Sequence, residues 1–199
     1  VDCTGHGVPG AFMSMIGNTL LNEIVNEKKI YQPDQILKNL NEGIINALHQ
    51  REGNIESQDD GMVISLCAFT PPGKGKNSSV FEFAEANQPV YLVNDSKIEE
   101  IPGDLDGIGG MLGSADRKFT NHSLKLSKGT TIYMTSDGFP DQFGGEHFRK
   151  FSSDRFAKVL LDIQRLGMKR QKEELNVIFN DWKGINKQID DVLVIGIRI

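Results

Sequence analysis

The spacing of apolar positions changes several times along the chain, and each change predicts an element. In "GVPGAFMSMIGNTLLNEIVNE" (7–27), Phe12, Met15, Ile16, Leu20, Ile24 and Val25 recur at helical spacing, with Pro9 suited to the first turn. "PDQILKNLNEGIINALHQ" repeats the pattern at Ile36, Leu37, Leu40, Ile44 and Leu48, which predicts a second helix. Glycine and charged residues interrupt the pattern at 51–60. From Met62 the run "MVISLCAF" is continuously apolar and of strand length, so it predicts a strand buried on both faces. "PPGKGKNSS" (71–79) reads as a turn or hairpin loop. Strands are expected near 80–86, 89–94 and 97–101, followed by an irregular Gly- and Asp-rich stretch over 102–118. "HSLKLS" and "TTIYMTS" read as two strands joined through Lys128-Gly129. Helices follow near 153–165 and 169–183, and "DDVLVIGIRI" closes the chain as a strand. Short consecutive strands between helix pairs predict an α+β fold with mainly antiparallel sheet, its faces covered by the helices. At 199 residues the chain suits a single domain, 1–199.

Composition narrows the function classes. Hydrophobic content of 38% with 25% charged residues fits a soluble globular chain. A formal net charge of −5, with no compensating basic block, argues against a nucleic-acid partner or an anionic membrane surface. The densest basic stretch, "MKRQK" at 168–172, reads as a solvated helix face. No apolar run approaches the roughly 18 residues of a membrane span, and no signal peptide is apparent. Cys3 and Cys67 form no CxxC pair, so neither a disulfide framework nor a zinc ribbon is indicated. A reducing, cytoplasmic setting is the expectation. The chain starts without Met, immediately at its densest cluster of reactive groups, which suggests a domain cut from a longer protein.

Three places set Asp at a strand end beside Gly or another Asp: Asp2 in "VDCTGHG", Asp137 in "SDGFPDQFGG", and Asp190-Asp191 in "QIDDVLVIG". Carboxylates held at sheet ends suit a hard divalent cation such as Mg²⁺ or Mn²⁺. Any one of them alone reads as a turn, and spacing does not show that they converge. "GHGVPG" matches G-x-G-x-x-G but lacks the strand and acidic residue a dinucleotide site requires. Its glycines suit a strand-to-helix turn instead. His6 reads first as a structural hydrogen-bonding residue and second as an acid/base or substrate-positioning group; no His or Cys at ligand spacing supports zinc. His49, His122 and His147 look incidental. Met13 and Met15 read as core or interface, Trp182 as packing, and Asp59 and Asp60 as loop residues rather than ligands of a peripheral metal.

Taken in order, "DCTGHGVPGAFMSMIG", "DGMVISLC", "AEANQPVYLV", "SDGFPDQFGG" and "DDVLVIGI" resemble the SpoIIE-like bacterial serine phosphatases, within the metal-dependent class that includes type 2C enzymes. The resemblance runs from residue 1 to 199. It implies a four-layer α-β-β-α sandwich of two antiparallel sheets with helices outside. It also implies two Mn²⁺ or Mg²⁺ ions, and a phosphoserine or phosphothreonine protein as substrate, often an anti-anti-sigma factor. By the same match Asp2 is the bridging carboxylate, the backbone carbonyl of Cys3 a neighbouring ligand, Asp137 the second carboxylate and Asp190 the third, with Asp191 a weaker candidate. Water shared by the two ions would then attack phosphorus, without a covalent enzyme intermediate.

The resemblance has departures. Val63 stands where relatives carry Asp, Glu85 where Gly is usual, and Pro140 where a small residue follows "SDGF". Strands that precede the first motif in the family are missing. Their loss predicts an unpaired sheet edge, and so a homodimer, a swapped assembly or marginal stability. The expected function is a protein serine/threonine phosphatase domain serving an upstream sensor or regulatory domain, itself making no direct membrane contact. The alternative is a non-catalytic regulatory or interaction domain that keeps the phosphatase fold, which Val63 and the missing strands motivate.

Overall fold

Gly7 adopts φ 68° and ψ −134°, a region that favours glycine, and turns the chain out of a short strand into the first helix. The structure is a computed structural model that describes residues 1–5, 7–50, 60–71, 79–94, 97–110 and 116–199. Its elements in chain order are β1 (Asp2–Cys3), α1 (Val8–Asn22) extended by one π-helical turn (Glu23–Glu27), α2 (Pro33–Ala47), β2 (Gly61–Thr70), β3 (Ser79–Ala86), β4 (Val90–Asn94), β5 (Lys97–Ile101), β6 (Ile108–Gly109), β7 (His122–Leu126), β8 (Thr131–Thr135), α3 (Gly138–Asp141), β9 (Phe143–Gly144), β10 (Arg149–Lys150), α4 (Ser153–Ile163), α5 (Met168–Lys183) and β11 (Val194–Arg198). The paired strands are antiparallel, so the α+β class with antiparallel sheets flanked by helices holds. The chain divides into two compact units: Val1–Gln88 with Pro102–Leu126, and Pro89–Ile101 with Ser127–Ile199.

The first unit is built on the sheet β1-β2-β3-β7, with β6 added to β2. Helix α2 buries Ile36, Leu37, Leu40 and Ile44, the stripe its periodicity predicts, against Met62, Ile64, Ala84 and Ala86 of the sheet. In α1 the stripe is rotated from the sequence expectation. Met13 and Gly17 face the core, whereas Phe12 and Met15 are exposed. Gly17 packs closely there: a Cβ on it would stand 2.8 Å from Met62 Cε. Strand β2 is buried at Met62 and Ile64 but opens to solvent at Phe69 and Thr70, so it is not covered on both faces throughout.

The second unit orders its sheet β11-β8-β4-β5. Tyr91, Val93 and Tyr133 pack with Phe139, Phe156, Leu160, Ile163, Leu175 and Phe179 of the helices. Ser152 caps α4 by accepting from Arg155 N. Gln171 Nε2 donates to the carbonyls of Ile163, Gln164 and Leu166, satisfying the end of α4, while its Oε1 accepts from Tyr133 Oη. The turn at Lys128-Gly129 does not make a hairpin. β7 pairs with β3, while β8 pairs with β4 and β11. All five residues of β8 are buried, which requires a central position, whereas β7 has exposed residues at alternate positions.

Candidate metal centre

Asp141 and Asp190 of the second unit lie within electrostatic reach of Asp137, beyond the end of β8. Asp137 follows β8 and starts α3, with φ −74° and ψ −13°. Burial raises its pKa first, then the charges of Asp190 and Asp141, while Lys150 opposes them. Asp141 N–H donates to the Asp137 carbonyl at 2.9 Å, and Lys150 Nζ pairs with Asp141 Oδ2 at 2.8 Å. Gly138 brings the two acid-bearing segments close together: a Cβ there would overlap the Asp191 carbonyl.

Asp190 lies just before β11. Its Oδ1 accepts from Asp191 N at 2.7 Å, and its carbonyl accepts from Gln188 Nε2 at 2.8 Å. Two further side chains hold this segment. Ser136 Oγ donates to the Asp191 carbonyl at 2.8 Å and accepts from Leu193 N at 3.0 Å. Gln142 Nε2 donates to the Lys187 carbonyl at 3.0 Å, and its Oε1 accepts from Ile189 N at 3.3 Å. Ser136, Asp141 and Gln142 all lie within or beside the stretch "SDGFPDQFGG", but sequence reasoning assigned them no role. Hydrogen bonds to a segment some fifty residues away leave no periodic signal.

In the first unit, Asp2 sits on β1 opposite Val63, and Cys3 opposite Met62. Partners in an antiparallel pair share a face, so the residue facing Asp2 across the strands is apolar. Thr4 closes the corner, its N–H donating to the Gly61 carbonyl at 2.9 Å and its Oγ1 accepting from Gly61 N at 3.2 Å. Cys3 Sγ accepts from Ser14 Oγ at 3.6 Å. Asp60 offers its carbonyl to Gln50 Nε2 at 2.6 Å, a loop role. His122 stacks on Phe83 with centroids 4.8 Å apart, and Trp182 packs edge-on to Phe151. His6 and Asp59 lie outside the described residues.

The donor set at Asp137 and Asp190 is carboxylate oxygen, the ligand chemistry of a hard divalent ion. Mutual repulsion between the two is what such an ion relieves. Among the described residues no group of three or more His, Cys, Asp or Glu is placed to hold a metal. Two carboxylates still fit Mg²⁺-type binding, in which one or two carboxylates act with waters and substrate phosphate.

Glu85 is a buried acid, unconnected with these more exposed ones. It is 1% exposed on β3, and neither carboxylate oxygen has a hydrogen-bond partner. Burial pushes its pKa to about 8; the facing Ser65 hydroxyl lowers it and the Asp104 charge raises it. The same burial, with the Glu85 charge, raises the Cys67 thiol.

The family model described as Stage II sporulation protein E (SpoIIE) matches residues 1–199. Among solved structures, the SiaA-PP2C domain of Pseudomonas aeruginosa is similar at TM-score 0.81 and 27% identity, over 99% of this chain and 73% of that one. The PP2C phosphatase domain of SpoIIE from Bacillus subtilis, solved with a fragment of its regulatory domain, is similar at TM-score 0.65 and 16% identity, over 98% of this chain and 52% of that one. The catalytic domain of the serine/threonine protein phosphatase PstP, solved with two manganese ions, is similar at TM-score 0.62 and 15% identity, over 96% and 82%. The chain thus has the PP2C-type fold and spans about half of the Bacillus structure. No curated protein matched it. No described helix is long and apolar enough to cross a membrane.

Proposed function

The chain belongs to the SpoIIE family, and from that premise we propose that it is a metal-dependent protein serine/threonine phosphatase. The reaction is phosphoserine or phosphothreonine plus water giving the free hydroxyl and phosphate. Asp2, Asp137 and Asp190 are the carboxylates that hold two Mn²⁺ or Mg²⁺ ions, with the Cys3 carbonyl assisting and Asp191 a lesser contributor. Such ions would lower the pKa of a bound water and offset charge on the phosphoryl oxygens. The chain's own part is to hold Asp137 and Asp190 within electrostatic reach of each other. Asp191 N–H orients the Asp190 carboxylate, and Lys150 stands near Asp137 and Asp141 as a cation for an incoming phosphate.

The observation that carries this reading is the packing of the Asp137 corner against the Asp190-Asp191 segment, far apart in sequence, through Gly138 and Ser136, on a fold shared with PP2C domains. The substrate is a phosphorylated regulatory protein of the anti-anti-sigma class, and an upstream sensor or regulatory domain controls the activity in the cytoplasm. Phosphate release from a phosphoserine peptide, measured with Mn²⁺ and after EDTA, tests the function. Release with Mn²⁺ that EDTA abolishes is expected. The absence of both release and Mn²⁺ uptake would favour the non-catalytic alternative, which keeps the fold without competent metal binding and in which Val63 opposite Asp2 has cost the site a polar contact.

A further inference from the structure

Strand β11 begins only at Val194, and the backbone ladder to β8 ends with Ser136 N–H donating to the Leu193 carbonyl at 3.0 Å. The segment before it, which carries Asp190 and Asp191, must satisfy its backbone groups in another way. Gln142 bonds it at 187 and 189, and Ser136 bonds it at 191 and 193. Asp190 is therefore held from both sides at alternate residues. Both holding side chains belong to the corner that carries Asp137: Ser136 precedes it directly, and Gln142 follows α3.

Neither side chain is a loose surface group. Gln142 is fully buried and Ser136 is 9% exposed. Gln142 Nε2 also donates to the Phe143 carbonyl at 2.9 Å, and the Gln142 carbonyl accepts from Trp182 Nε1 at 2.9 Å, which fixes the residue in its place. An apolar side chain at either position would leave backbone groups of the Asp190 segment unpaired and free to move away from Asp137.

We propose that Ser136 and Gln142 are positioning residues that set the spacing of the Asp137 and Asp190 carboxylates for a divalent cation. The inference rests on the metal-dependent reading above. It assigns these residues no contact with substrate, only control over the geometry of two ligands.

The test is calorimetric titration of Mn²⁺ into the full chain, with the metal-free melting temperature measured beside it. The proteins are wild type, Ser136→Ala, Ser136→Thr, Gln142→Met and, as a control, Gln171→Met. Gln171 is equally buried and bonds three carbonyls and Tyr133, but none in the Asp190 segment. Ser136→Ala, Gln142→Met and Gln171→Met should each lower the metal-free melting temperature. Only the first two should weaken Mn²⁺ binding, by about tenfold or more, and Ser136→Thr, which keeps the hydroxyl, should restore most of it. Wild-type affinity in Ser136→Ala and Gln142→Met overturns the proposal while leaving the metal reading intact, as does an equal loss in Gln171→Met. Should Gln142→Met not fold, the contrast between Ser136→Ala and Ser136→Thr decides. A wild-type protein that takes up no Mn²⁺ overturns the metal reading itself, and this inference with it.

Discussion

At the scale of single residues, two carboxyls respond to pH for different reasons. Glu85 is raised to about 8 from an ordinary 4.5, chiefly by burial. A raised carboxyl favours the folded state while protonated. That contribution is complete below about 4.5 and lost as pH rises through about 8. Glu85→Gln, which cannot ionise, should therefore stabilise the protein by on the order of a few kcal/mol at pH 9 and by almost nothing at pH 4.5. Melting curves at the two pH values check this; an equal effect at both would show that Glu85 is not held protonated by its surroundings. Asp137 is shifted the same way, by burial and then by Asp190 and Asp141, so metal-free protein is penalised at neutral pH and relieved as acid protonates it. Asp137→Asn should raise the metal-free melting temperature at pH 7 and remove most of its rise on adding Mn²⁺. A variant that keeps the full Mn²⁺ shift would take Asp137 out of the metal site. Sequence marked Asp137 through its place between a strand and glycine. It marked Glu85 only as a departure from the family's usual Gly, because strand alternation alone does not say which face of β3 is dry.

At the scale of elements, the sequence is most legible where one physical cause dominates. The apolar stripe of α2 matches the buried set at Ile36, Leu37, Leu40 and Ile44 because nothing competes with periodicity there. In α1 Gly17 lies against Met62, and Met13 is buried while Met15 is exposed. The turn at Lys128-Gly129 has hairpin composition, yet Gly129 N–H donates to the Ile199 carbonyl and the chain moves from one sheet to the other. Strand pairing between distant segments decided that, and no local signal reports it. The same holds for the corner at α3, whose close approach to Asp191 depends on Gly138. Gly138→Ala would force its Cβ onto the Asp191 carbonyl. It should destabilise by about 1–3 kcal/mol and weaken Mn²⁺ binding by displacing the Asp190 segment. Unchanged stability in denaturant titrations would mean that the corner yields without cost.

At the scale of the whole molecule, the family and the α+β fold were legible because the five motifs occur in order along the full chain, and the SpoIIE model matches the same span, residues 1–199. The candidate site could be read from the sequence only as three acidic corners, not as an assembled centre, because assembly is a property of topology. The structure brings Asp137 and Asp190 within electrostatic reach in one unit, and Asp2 stands at its own strand-to-helix corner in the other. An ion that binds the folded chain alone adds about 2.7 kcal/mol at a hundredfold excess over its Kd. The melting temperature should accordingly rise with Mn²⁺ at pH 7 and rise less at pH 5, where protons compete for the raised Asp137 carboxyl. A shift independent of pH would point to binding elsewhere. The most direct test of the central claim is the anomalous scattering of a crystal grown with Mn²⁺. Two manganese peaks within bonding distance of carboxylate oxygens of Asp2, Asp137 and Asp190 are predicted; manganese absent from these three, or bound only at other residues, would contradict the account.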